Sequence, residues 1–113
     1  MYKYGKVINM FDFIRLACAV PDVEVGNTEF NTQEIIKYID INKDADVIVF
    51  PELCVTGYTC ADLFFQKTLI DGAKKGIAEI VRTTNDSNSV AAVGAPLIIA
   101  GQLYNCAVVM SHG

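Results

Sequence analysis

Glu52 is the acidic residue of this sequence best placed to move a proton. It follows Val47, Ile48, Val49 and Phe50, an unbroken run of β-branched and aromatic residues that reads as a strand buried on both faces. Pro51 has no amide hydrogen for the next rung of a ladder, so pairing stops there. Glu52 then stands just past the carboxyl end of a central strand, the edge at which open α/β sheets collect ligands. Leu53 and Cys54, then Thr56, Gly57 and Tyr58, follow it, so the carboxylate is expected between buried segments, where a general base is commonly found. The competing structural roles are a cap on the following turn and an ion pair with a surface cation.

Other chemistries find less support. Cys54 lies two residues from Glu52, but residues so close along the chain seldom aim both side chains at one point, so it is not read as a nucleophile. Cys18, Cys54, Cys60 and Cys106 include no C-x-x-C pair, and the single histidine gives no zinc partner set. All four are expected to be buried free thiols. His112 stands in a polar tail, too peripheral for a serine triad. There is no G-x-G-x-x-G and no G-x-x-x-x-G-K-[ST], so this stretch carries no phosphate loop. No metal site is expected.

The elements that position Glu52 can be read from periodicity. Phe13 to Val20 is apolar except for Arg15 and closes at Pro21 and Asp22, which predicts a first, central strand. Asn27 and Thr28 are N-cap candidates, Glu29 suits a first turn, and Thr32, Ile35, Ile36 and Ile39 recur at helical spacing, predicting a helix over Thr28 to Asn42. Strand, helix and strand then form a right-handed parallel unit by the usual crossover rule. Leu69, Ala73, Ile77 and Ile80 share a stripe that predicts a helix from Lys67 to Arg82, with Gly72 and Gly76 packed closely on a neighbour.

From Ser87 to Gly113 there is no Asp, Glu, Lys or Arg. The apolar run from Val90 to Ala100 is about half of what a membrane span needs, so two buried strands fit better: Val90 to Ile99 and Leu103 to Met110, joined near Gly101. Gly94 and Pro96 predict a bend or bulge in the first of them. The leader Met1 to Met10 has no clear period, and either packs on the domain edge or forms a loose tail.

At 113 residues, 52% hydrophobic and 19% charged, the chain fits one compact domain or a piece of a larger one. Its net charge of -4 and scattered Lys and Arg leave no nucleic-acid footprint and do not suit an anionic membrane. Met1 to Asn9 lacks the apolar core of a secretory signal, and a cytoplasmic protein is expected.

Phe50-Pro51-Glu52-Leu53, then Thr56-Gly57-Tyr58 and Asp62-Leu63-Phe64, resemble the first signature of the nitrilase, or carbon-nitrogen hydrolase, superfamily. More closely, the chain resembles the glutaminase domains of the glutamine-dependent NAD synthetases. The resemblance runs from about Phe13 onward, through the Pro21 loop, Asn31, the Glu52 block, Val93-Gly94-Ala95-Pro96 and Leu103-Tyr104-Asn105-Cys106-Ala107.

That resemblance implies an α/β fold: an incomplete α-β-β-α sandwich with about four strands and two main helices. It implies an N-terminal extension over residues 1–11 and the N-terminal part of a glutaminase domain over residues 12–113. In the family a Glu-Lys-Cys triad hydrolyses the side-chain amide of glutamine; Glu52 matches the general base, whereas the lysine, in a Pro-Lys motif, and the cysteine nucleophile match nothing here and would lie beyond Gly113. Tyr58 matches a tyrosine beside the substrate pocket, with a core tyrosine as the alternative. The ammonia would serve a C-terminal synthetase domain that uses ATP and Mg2+ to amidate deamido-NAD, and a homo-oligomer is implied. These 113 residues alone are expected to be inactive. Two rival readings are another superfamily amidase acting on small amides or nitriles, and a fragment that only binds.

Overall fold

The computed structural model describes residues 13–113; the leader and the whole of the expected extension lie outside the described residues. Four strands and two long helices follow in order. Strand β1 spans Leu16–Cys18, helix α1 Thr28–Ile41, strand β2 Val47–Val49, helix α2 Lys67–Thr83, strand β3 Val90–Ile99 and strand β4 Gln102–Met110, with a short 3-10 turn at Ala61–Phe65 before α2. The strands form one sheet in the order β1-β2-β3-β4. β1 and β2 are parallel, as are β2 and β3, while β3 and β4 form an antiparallel hairpin.

Helix α1 begins where its sequence says it should. Asn27 is the N-cap, its side-chain oxygen accepting from the Phe30 amide at 3.1 Å, which satisfies one of the unpaired donors of the first turn. Gly72 and Gly76 let α2 close on α1. A Cβ at Gly72 would stand 2.5 Å from Thr28 Oγ1, and one at Gly76 would collide with Thr32.

Both helices lie on the same face of the sheet. Ile35 and Ile39 of α1, Ala73 and Ile80 of α2, and Ile48, Ala91, Val93 and Ala95 of the strands form one buried cluster. Because strand side chains alternate between faces, the paired residues Leu16, Val47 and Val90, then Cys18, Val49, Ala92 and Val109, share the opposite face. Leu16, Val49 and Val109 are exposed there. This open face decides where the site lies.

Several expectations are corrected by the same asymmetry. β1 is an edge strand of three residues, not a central strand from Phe13 to Val20. Among the described residues it pairs only with β2, which itself ends before Pro51, and Phe13 and Val20, at 76% and 75% exposure, have no neighbouring strand there. β4 is largely exposed because it lies at the other edge and has one face uncovered. β3 has no bulge: residues Ala91 to Ile99 pair one for one with Met110 to Gln102. Gly94 serves a close approach instead, described below.

Candidate functional site

Glu52 opens a tight turn that crosses the carboxyl end of the sheet. The Phe50 amide donates to the Ala92 carbonyl at 2.9 Å, the last link of this segment to β3 before Pro51 withholds its own. The amides of Thr56 and Gly57 both donate to the Leu53 carbonyl, at 3.1 and 2.8 Å, and Val55 donates to the Gly94 carbonyl at 3.2 Å. Leu53 takes a φ of 52°, a left-handed conformation unfavourable for a branched side chain. The turn is accordingly held from several sides.

Gly94 is one of those restraints. A Cβ on it would lie 2.6 Å from the Pro51 carbonyl oxygen and 2.8 Å from the Glu52 carbonyl carbon, and would overlap the Leu53 amide nitrogen. Only glycine lets the turn rest on β3 at this point. Asn31 is a second. It is 1% exposed, its Oδ1 accepts from the Glu24 amide at 2.8 Å, and its Nδ2 donates to the carbonyls of Glu24 at 2.8 Å and Val55 at 3.1 Å. The buried amide thereby ties α1, the loop before it and the Glu52 turn together.

The Glu52 carboxylate reaches over the open face to β4, where Asn105 Nδ2 donates to Glu52 Oε1. Between them lies a shallow concavity of about 360 Å³ lined by Val49, Glu52, Ala92, Gly94, Asn105 and Ala107. Glu52 itself is exposed while Phe50 and Leu53 to Gly57 are buried, so the carboxylate stands between buried segments as expected, with its head over the uncovered face of the sheet. Among the described residues no Lys, Arg or His forms an ion pair with it. The arrangement is that of an acceptor held at one oxygen by a neutral side-chain donor.

Asn105 did not emerge from the sequence as a site residue. The signal was present in a weak form, as the one amide in the otherwise apolar run from Leu103 to Met110, because asparagine is disfavoured in strands. Tyr58, expected at the pocket, is 67% exposed and does not line this concavity. It follows Gly57, which stands at φ 90° against the backbone of Val25, and so projects from the far end of the same turn.

The cysteines divide into two pairs. Cys54 and Cys60 are buried, whereas Cys18 is exposed and Cys106 partly so; the expectation that all four are buried fails for the pair on the two edge strands. Burial pushes the Cys54 thiol up to about 11, and the thiol donates a weak hydrogen bond to the Gly94 carbonyl. A thiol so held is a poor nucleophile at neutral pH.

Among the described residues no three His, Cys, Asp or Glu side chains converge as a metal site. No helix among them is long and apolar enough to cross a membrane.

The carbon-nitrogen hydrolase family matches residues 16–113. The chain belongs to that family. Among curated relatives, it is 35% identical over 103 residues to the glutamine-dependent NAD(+) synthetase of Xanthomonas campestris pv. campestris, covering 88% of this chain and 18% of that protein. The Mycobacterium bovis glutamine-dependent NAD(+) synthetase is 31% identical over 103 residues, covering 89% of this chain and 15% of that protein. Among solved structures, the glutamine-dependent NAD(+) synthetase from Cytophaga hutchinsonii superposes with a TM-score of 0.79 at 30% identity, over 88% of this chain and 17% of that one. An amidase from Nesterenkonia sp. superposes with a TM-score of 0.71 at 13% identity, over 88% and 38% of the two chains, a likeness of fold alone. The carbon-nitrogen hydrolase segment described here thus spans less than a fifth of the length of these synthetases.

Proposed function

We propose that this chain is the N-terminal part of the glutaminase unit of a glutamine-dependent NAD synthetase, with Glu52 as its general base. The observation that carries the reading is the Glu52 carboxylate standing over the open sheet face at the end of an inner strand, facing the side on which a second layer would bring further groups. The relatives' names support glutamine as the substrate and NAD synthesis as the destination of its nitrogen.

In this reading the cysteine and lysine of the triad belong to the rest of a longer protein. Glu52 takes the proton of the cysteine thiol, and the thiolate attacks the carboxamide carbon of glutamine. The proton returns to the leaving nitrogen, which departs as ammonia and leaves a thioester. Water then attacks the thioester as Glu52 accepts its proton; the thiolate departs and takes that proton back from Glu52, which releases glutamate and regenerates the thiol and the carboxylate. The ammonia passes to a synthetase domain of the same protein, where ATP and Mg2+ support amidation of deamido-NAD. Tyr58 meets the substrate side of the completed pocket, residues 1–113 alone are catalytically silent, and the intact protein is a cytoplasmic homo-oligomer.

The test is Glu52→Gln in the intact protein. The change keeps shape and removes the proton acceptor, so glutamine hydrolysis falls by about 10²–10⁴-fold. NAD synthesis from ammonium, ATP and deamido-NAD bypasses that step and persists. Loss of both activities would make Glu52 a structural residue, and loss of neither would make its position incidental.

A further inference from the structure

We propose that Asn105 is a positioning residue for the base: its side-chain amide fixes one oxygen of Glu52 so that the other is presented to the proton donor. The inference rests on the reading of Glu52 as the base and adds to it the device that aims it.

Three observations carry it. First, the Asn105 side chain has its hydrogen bond with Glu52 among the described residues, although the two are separated by 53 positions along the chain. A carboxylate accepts only, so it selects the donor end of the amide, and the amide nitrogen faces it. Second, Asn105 pairs with Pro96 and its neighbour Ala107 pairs with Gly94, which sets Asn105 on the open face beside the glycine that the Glu52 turn crosses. The bare Gly94 surface therefore brings the turn close to β4 and allows the contact. Third, the donor is neutral. No cation pairs with Glu52 among the described residues, and a cation at that distance would favour the charged carboxylate and weaken it as a base.

An exposed glutamate has three rotatable bonds and samples many orientations. An amide that captures Oε1 restricts them and leaves the lone pairs of Oε2 unengaged. Because the contact is to the base and not to substrate, losing it should reduce turnover and leave substrate affinity nearly unchanged.

The experiment compares Asn105→Ala, Asn105→Gln and Asn105→Asp with Glu52→Gln in the intact protein, measuring glutaminase kcat and KM and checking the fold by circular dichroism. The expected order of kcat is wild type, then Gln, then Ala, then Asp. Ala falls on the order of 10- to 100-fold, the worth of a hydrogen bond to a charged group, with KM within about twofold. Gln, which keeps the donor on an exposed strand position, recovers most of the loss. Asp keeps the shape but replaces the donor with a like charge, so it is the worst of the three. A residue needed only for packing would give the reverse, with isosteric Asp best tolerated; that order, or a loss confined to KM, overturns the proposal. If Glu52→Gln is inactive and every Asn105 variant is normal, Asn105 has no positioning role while the base reading stands. If Glu52→Gln retains hydrolysis, the base reading fails and this proposal fails with it. Should Asn105→Ala not fold, the comparison of Gln with Asp decides alone.

Discussion

Gly94 and Glu52 meet backbone to backbone, so closely that a Cβ on Gly94 would stand 2.8 Å from the Glu52 carbonyl carbon. The neighbouring Pro51 oxygen and Leu53 nitrogen are backbone atoms too and cannot rotate aside as a side chain would. Gly94→Ala therefore has to push the turn off β3, and it should cost about 1–3 kcal/mol, as overpacking does. A urea titration measures that cost. In the intact protein the same change should lower glutaminase activity with ammonia-dependent synthesis retained, because it displaces the base and leaves other domains alone. Unchanged stability and activity would mean that the turn tolerates displacement.

That contact also shows what was legible in the sequence and what was not. The strands at Val47–Val49 and Val90–Ile99 and the helices at Thr28–Ile41 and Lys67–Thr83 follow from periodicity, Asn27 and Pro51, all of which act locally. Gly94 was equally visible, but a glycine in a strand marks either a bulge or a close approach, and only the position of Pro51 to Leu53 decides between them. Exposure was harder. Phe13 to Val20 is as apolar as an inner strand, yet whether a strand is central or at an edge depends on partners far along the chain, and so does the exposure of Cys18. The Asn105 contact with Glu52 depends in the same way on the register of the β3–β4 hairpin.

The thiols should respond to alkylation according to burial. In the folded 113-residue chain, Cys18 is expected to react first, Cys106 next, and Cys54 and Cys60 only as the protein opens. Mass spectrometry of peptides after timed labelling gives the order; rapid labelling of Cys54 would contradict its raised thiol.

Cys54 also predicts a pH dependence. Its thiol moves from an ordinary value near 9.0 to about 11 on folding, so the unfolded chain loses that proton at a lower pH than the folded one. The stabilisation is fully present below about pH 9 and is lost as pH rises through about 11. Up to about 2–3 kcal/mol is at stake. Urea midpoints should fall above pH 9 and fall less steeply in Cys54→Ala. Equal slopes in the two proteins would assign the alkaline loss to other groups.

Asn31 supports the Glu52 turn from the helix side. Asn31→Ala leaves the Glu24 amide and the Val55 carbonyl without this partner and opens a small cavity, at a cost of about 2–3 kcal/mol. The turn loses an anchor as well, so glutaminase activity of the intact protein should drop before its fold does. Wild-type stability would require water to replace all three hydrogen bonds.

The open sheet face leads to the last prediction. Leu16, Val49 and Val109 share that face and are 62%, 44% and 66% exposed, and β1 and β4 leave the outer edges of the sheet without a neighbouring strand among the described residues. A contiguous apolar surface beside strand edges favours association. The 113-residue chain should therefore bind a hydrophobic dye and show concentration-dependent self-association in sedimentation. Val109→Lys places a charge on that face at a position already in water, so it should change stability by no more than about 0.5 kcal/mol while weakening both signals. In the intact protein, where we propose that a second layer covers this face, the same substitution would bury an unpaired charge and be severely destabilising. The contrast between the two contexts is the informative result: a mild effect in both would mean that the face stays exposed throughout, and that the Glu52 site is completed from elsewhere.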